Sequence, residues 1–248
     1  MTRPRVLVVR SGANPFLRMG ESEIVDVVEH SSHEIRPVHP PEGALAGPAD
    51  LCAFTSQVAV ERVAADPDLR ASVLEGSRGR RIAAVGNATA DALRGRGIEP
   101  DLVAGGSVEA LLEALPRRLD GWNVLLPCGE DAGAELPEEL HARGAHVSRI
   151  VVYRKVPLRR EAELEREIRD GAFVAFLTTS PAAARWLFDG LESAAAERLK
   201  QTPAVVLGRF TRRSLEAHGV ERIAVTPEPR FESALRLLEQ LASESDAA

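Results

Sequence analysis

The chain has one tyrosine, two cysteines, two tryptophans and two methionines in 248 residues, and aromatic residues make up 4% of it. Two cysteines, Cys52 and Cys128, are too few for a disulfide framework and stand without metal-ligand spacing, so both are expected as reduced, partly buried thiols. No stretch approaches the ~18 uninterrupted apolar residues of a membrane span, and no long basic run interrupts a formal net charge of -6. With so few aromatics, that balance disfavours nucleic-acid binding. The opening "MTRPRVLVVRSG" sets basic residues before an apolar run too short for a signal-peptide core, without a small-residue cleavage site. It reads as the first β-strand of a cytoplasmic protein.

Familiar signatures are missing as well. There is no G-x-G-x-x-G opening a strand-to-helix turn, no G-x-x-x-x-G-K-[ST] phosphate loop, no G-x-S-x-G elbow and no H-E-x-x-H. These absences disfavour cofactor and triad chemistry, so neither a cofactor nor a metal is expected. A phosphoacceptor receiver domain needs acidic residues where the first strand ends, and Arg10 stands there. His30 and His33 form an H-x-x-H pair with no identifiable carboxylate or thiol partner, and are expected as solvated loop histidines. Asn87-Ala88-Thr89 fits a glycosylation sequon, accidental in a chain with no secretion signal.

What is present is alternation. Hydrophobic residues make up 44% and charged residues 27%, ordinary for a globular protein. Short apolar runs alternate with helical patterns: 5–9, 51–54, 82–85, 101–104, 123–126, 173–177, 204–207 and 223–225 read as strands. "SVEALLEALPRRL" places Val108, Leu111, Leu112 and Leu115 on one helical face behind a Ser107 N-cap. "FESALRLLEQLA" repeats that pattern near the C-terminus, and "SESDAA" after it is expected to fray. Strand-then-helix alternation predicts an α/β fold of parallel sheets covered by helices.

Two extended segments break the alternation, 33–40 and 145–157, each closed by proline. As paired crossings between two lobes they make residues 40–150 an inserted domain and join 1–36 to 155–248 as a discontinuous one. The chain also repeats itself. "FTSQVAVERV" corresponds to "LTTSPAAARWL" and "AVGNATADALRGRG" to "VVLGRFTRRSLEAHG", so that Ser56 is answered by Ser180, Thr89 by Thr211 and Gly97 by Gly219, at separations of 122 to 124. Several features in one order at a nearly constant offset point to duplication. The expected fold is therefore two doubly wound, flavodoxin-like parallel-sheet lobes, internally duplicated and joined by a two-stranded connector.

In an open parallel sheet, ligands gather beyond the carboxyl ends of the strands. Thr55, Ser56, Gly86, Asn87, Thr89, Thr179, Ser180, Gly208 and Thr211 all fall there. The serines and threonines have a plain structural role open to them as helix caps. Drawn from both copies, they also suit one polyanion, because each helix N-terminus contributes ~0.3 to 1 kcal/mol toward an anion.

"FTSQVAV", "AVGNATADALRGRGIEPDLV", "VLLPCGED", "ARGAHVSRIVVYRKVP", "LTTSPAAARWL" and "LGRFTRRSLEAHG" together resemble, in order and over nearly the whole chain, the recurring blocks of the uroporphyrinogen-III synthase family. The resemblance implies two α/β lobes on a two-stranded connector with substrate in the intervening cleft. It implies conversion of hydroxymethylbilane to uroporphyrinogen III, with inversion of the last pyrrole ring and loss of water, in tetrapyrrole (heme) biosynthesis, without a cofactor. The partner is then a small molecule carrying acetate and propionate on every ring, with no nucleic acid and no membrane, and the enzyme is expected as a monomer. Tyr153 in "VVYRK" matches the family's tyrosine and is expected to donate a proton or hydrogen bond to the leaving hydroxyl. Thr89 and Thr211 match its cleft threonines, Ser56 and Ser180 its strand-end serines, and Arg10 an arginine suited to a substrate carboxylate. The chain departs from the pattern in three places: "SGANPF" follows Arg10, Cys128 stands where arginine is frequent, and Phe210 replaces a small polar residue. Such changes at cleft edges also fit a noncatalytic two-lobed module that binds a tetrapyrrole or another polyanion.

Overall fold

A computed structural model describes residues 3–12, 22–41, 48–75 and 79–246. Residues 13–16 of "SGANPF" and the final Ala247 and Ala248 lie outside them. The strands are β1 Arg5–Ser11, β2 Asp26–Pro37, β3 Leu51–Phe54, β4 Arg81–Ala84, β5 Leu102–Val103, β6 Asn123–Gly129, β7 His146–Pro157, β8 Ala175–Thr178, β9 Ala204–Val206 and β10 Ile223–Val225. The helices are α1 Gln57–Ala65, a single turn α2 Pro67–Leu69 running into a π-helical turn Arg70–Glu75, α3 Asn87–Arg94, α4 Val108–Ala114, α5 Glu135–Ala142, α6 Ala162–Arg169, α7 Pro181–Phe188, α8 Ser193–Gln201, α9 Arg209–Ala217 and α10 Phe231–Asp246.

The chain divides into two compact units, Met1–Ile35 with Val156–Ala248, and Arg36–Lys155. We call them the discontinuous and the inserted unit. In the discontinuous unit the strand order is β2-β1-β8-β9-β10, and in the inserted unit β7-β6-β3-β4-β5. Every pairing within them is parallel. Counted from β8 in one unit and β3 in the other, both read 5-4-1-2-3, a doubly wound sheet whose order reverses beside its first strand. That reversal lies between β8 and β1 in one unit and between β3 and β6 in the other.

Burial on both sheet faces explains the apolar runs. Along β1, Leu7 and Val9 join Leu164, Phe176, Leu187 and Leu215 in one core cluster. Val6 and Val8 join Leu177, Val205 and Leu238 in another. In the inserted unit, Leu51, Ala53, Val124 and Leu126 pack with Leu111 and Leu140. Ser107 caps α4 as expected, its Oγ accepting from the Ala110 amide at 3.1 Å.

Three expectations need correction. Of the extended segment set at 33–40, residues 33–37 are the end of β2, which begins at Asp26; the seven earlier residues mix Asp, Glu, His and Ser with valine and so show no continuous apolar run. His30 and His33 are strand residues rather than loop residues, and His33 is 8% exposed. Finally, α10 continues through "SESD" to Asp246, where Ser243 Oγ donates to the Glu239 carbonyl at 2.9 Å and Gln240 Nε2 to Glu244 Oε1 at 3.0 Å.

Candidate active site

In the inserted unit the site is built where β3 ends. Ser56 stands at the N-cap of α1 with extended backbone, yet its side chain makes no capping hydrogen bond. Its Oγ lies 3.2 Å from the Tyr153 hydroxyl. Tyr153 comes from β7 and is 5% exposed. Its register explains how a strand residue reaches that point: Cys128 pairs with Val151 but Gly129 pairs with Tyr153, so Val152 is skipped. Such a bulge re-aims the next side chain. Gly129 makes room for it, because a Cβ there would fall 2.8 Å from Cε2 and Cζ of the Tyr153 ring. Lys155 Nζ and Asp131 Oδ2 form an ion pair at 2.9 Å.

At the end of β4, which pairs with β3, Gly86 is the N-cap of α3. A Cβ on it would meet the Cα of Gly106 at 2.7 Å, so glycine is required by close backbone approach. The first amides of α3 lack intrahelical acceptors by the geometry of any helix start, which suits them to an anion. Thr89, the third residue of α3, is 4% exposed, whereas Asn87 is exposed and Thr55 half-buried.

The discontinuous unit has its own strand-end group. Ser180 is the N-cap of α7 and accepts from the Ala183 amide at 3.1 Å. Its Oγ is also 3.2 Å from Ser11 Oγ at the end of β1. Thr179 is half-buried, and its amide donates to the Val9 carbonyl at 3.1 Å. Arg10 makes an ion pair with Glu29, Nη2 to Oε2 at 2.7 Å. Gly208 is the N-cap of α9, with no atom within 4 Å of a Cβ built on it, and Thr211 is 4% exposed. Phe210 is 53% exposed, with the Arg209 guanidinium 4.9 Å from its ring centroid.

The capping role read for all these hydroxyls holds for Ser180 alone among them. Ser56 turns to Tyr153, while Thr89 and Thr211 lie inside their helices behind glycine caps. Sequence reasoning missed Ser11 and Gly129. Both sit at the ends of the strands that flank each reversal, so the rule that selected Ser56 and Ser180 would have found them once β1 and β6 were extended to residues 11 and 129. Cys128, next to last in β6, is 5% exposed. Burial pushes the Cys52 thiol from its ordinary 9.0 up to about 12, against a smaller opposing effect of the Arg80 charge. Among the described residues, no group of three or more His, Cys, Asp and Glu side chains is placed to hold a metal. No described helix is long and apolar enough to cross a membrane.

A family model described as uroporphyrinogen-III synthase HemD matches residues 21–236, most of the chain. The chain belongs to the uroporphyrinogen-III synthase family. It is accordingly an enzyme of heme biosynthesis, a cyclising lyase whose substrate is a small tetrapyrrole. A search of curated proteins returned no match. Among solved structures, a mutant uroporphyrinogen III synthase from the extremely thermophilic bacterium Thermus thermophilus is 25% identical, with a TM-score of 0.67 over 96% of this chain and 99% of that one. The wild-type synthase of the same bacterium in a second crystal form is also 25% identical, with a TM-score of 0.53 over 98% and 100%. The uroporphyrinogen-III synthetase of Helicobacter pylori, 18% identical, has a TM-score of 0.60 over 97% and 100%, a likeness of fold.

Proposed function

We propose that the two strand-end groups are the substrate-binding surfaces of this synthase and that Tyr153 is its proton donor. Hydroxymethylbilane loses its terminal hydroxyl as water, which needs one proton delivered to that oxygen as the C–O bond breaks. The substituted carbon of the last ring attacks the resulting azafulvene, and the spiro intermediate so formed fragments and recloses with that ring inverted. Closure releases one proton from the ring carbon that forms the new bond, so the reaction is neutral in protons overall. The protein's tasks are to fold the chain and to aid departure of the hydroxyl.

The observation that carries this reading is the Ser56–Tyr153 contact at 3.2 Å, over a glycine that leaves the phenol its place. A buried phenol with a hydroxyl neighbour is oriented before substrate arrives. Thr55, Gly86, Asn87 and Thr89 in one unit, and Arg10, Thr179, Ser180, Gly208 and Thr211 in the other, are read as contacts to the substrate's carboxylates. A helix N-terminus offers each carboxylate ~0.3 to 1 kcal/mol when exposed and up to ~2 when partly buried. Several such contacts hold a polyanion on a protein of net charge -6. The same reading has the enzyme working as a cytoplasmic monomer without a cofactor.

Hydroxymethylbilane generated in situ tests it. The reading expects the type III product from the wild type, and accumulation of the spontaneous type I isomer alone would sink it.

A further inference from the structure

The bulge that aims Tyr153 occurs twice. In the discontinuous unit Arg10 pairs with Ser31 but Ser11 pairs with His33, skipping Ser32. The skipped residues match too. The Val152 carbonyl accepts from the Val38 amide at 3.1 Å in the inserted unit, and the Ser32 carbonyl accepts from the Leu158 amide at 3.0 Å in the discontinuous one. His33 therefore holds, in its own sheet, the register position that Tyr153 holds in the other.

Its surroundings are polar and fixed. Ser32 Oγ donates to the Arg10 carbonyl at 3.1 Å, and His33 Nδ1 is 2.9 Å from that same Oγ. That contact fixes the ring's orientation whichever of the two atoms donates.

His33 lines a cavity of about 410 Å³ with Ala182, Arg185, Trp186 and Asp189 of α7 and the turn after it, and Arg160. The volume suits a small organic molecule. Arg160 donates to the carbonyls of Trp186, Leu187 and Asp189 at 2.8, 3.0 and 3.1 Å, with its guanidinium 5.8 Å from the indole centroid. The indole N–H donates to the Leu158 carbonyl at 2.6 Å. One wall is thus a braced aromatic surface, and Arg185 adds an exposed cation one helical position before it.

We propose that this cavity is a binding site for a carboxylated pyrrole ring, stacked on Trp186 with an acidic arm toward Arg185 and with His33 hydrogen-bonded to the ligand. Its identification as a ring of the synthase's own substrate rests on the function proposed above; the site itself does not.

The test is a titration with a monopyrrole bearing acetate and propionate arms. A Trp122→Phe background leaves Trp186 as the sole indole, so its fluorescence reports this cavity alone. Saturable quenching is expected. Arg185→Ala and His33→Ala should each raise the apparent Kd by about tenfold or more, while Asp189→Asn, which removes a carboxylate from the lining, should lower it. Circular dichroism melts confirm that each variant is folded. Absence of saturable quenching in the parent, or Kd values in the folded Arg185 and His33 variants equal to the parent's, overturns the proposal. Type III synthesis assayed on the same parent separates the two readings: turnover without pyrrole binding removes this site and leaves the enzyme, whereas binding without turnover does the reverse.

Discussion

The two units share a strand order and a bulge but use their hydroxyls differently. In the discontinuous unit Ser180 caps α7 and meets Ser11. In the inserted unit the matching Ser56 leaves α1 without a side-chain cap and turns to Tyr153. A cap contributes about 1 kcal/mol to stability, so the inserted unit gives up local stability to hold a phenol. The sheet fixes where a strand-end group sits, and the residue that occupies the place decides what it can do there.

Removing the phenol is the largest way to break the comparison. Tyr153→Phe keeps the ring over Gly129 and deletes only the hydroxyl proposed as the proton donor. Type III formation should fall by about 10²-fold or more, the usual contribution of a positioned acid, with a nearly unchanged urea midpoint. Full turnover in this variant would remove Tyr153 as the acid while leaving the family assignment intact.

How much of this was legible in the sequence follows from separation along the chain. The cores of β1, β3, β6 and β8 were plain because parallel strands buried on both faces read as unbroken apolar runs. The strand-end positions followed from that pattern, since a polar residue directly after such a run lies at the sheet's carboxyl edge. The Ser56–Tyr153 contact joins residues 97 apart and depends on a bulge that no periodicity announces. His33 was misread for the same reason: its strand carries few apolar residues, and only the register shift shows His33 to stand opposite Ser11 in the sheet.

Glycines sharpen the contrast in the backbone. Gly86 and Gly208 have the same role and nearly the same extended φ, -174 and -172. Only Gly86 is crowded, by the Gly106 backbone. Gly86→Ala should destabilise by roughly 1–3 kcal/mol, as forced overpacking does, and Gly208→Ala by less than about 0.5 kcal/mol. Urea unfolding of both variants checks this, and equal midpoints would show that the two turns are not different after all.

The serines give a smaller, crossed pair of effects. Ser180→Ala should cost about 1 kcal/mol through the lost cap. Ser56→Ala has no cap to lose, so its stability should stay within about 0.5 kcal/mol of wild type while kcat falls as Tyr153 loses its neighbour. Restored kcat in Ser56→Thr would tie the effect to the hydroxyl. If Ser56→Ala left kcat intact, the contact would be a bystander to the chemistry.

The smallest difference lies inside the sheets and shows only in alkali. Cys52 occupies in β3 the place of Phe176 in β8, so the inserted unit carries a titratable group where the other has a phenyl ring. Burial holds the thiol neutral up to about 12, against 9.0 for an ordinary cysteine. The folded state therefore keeps a proton that the unfolded chain releases. This contribution is fully present below pH 9 and is lost as pH rises toward 12, at a limiting slope of about 1.4 kcal/mol per pH unit. Between about pH 9 and 10 the wild type should lose about 1 kcal/mol more stability than Cys52→Val, measured as the difference between their urea-unfolding free energies at each pH. Parallel pH dependences would mean that the thiol ionises as readily in the fold as outside it, and that the two sheet interiors are electrostatically alike.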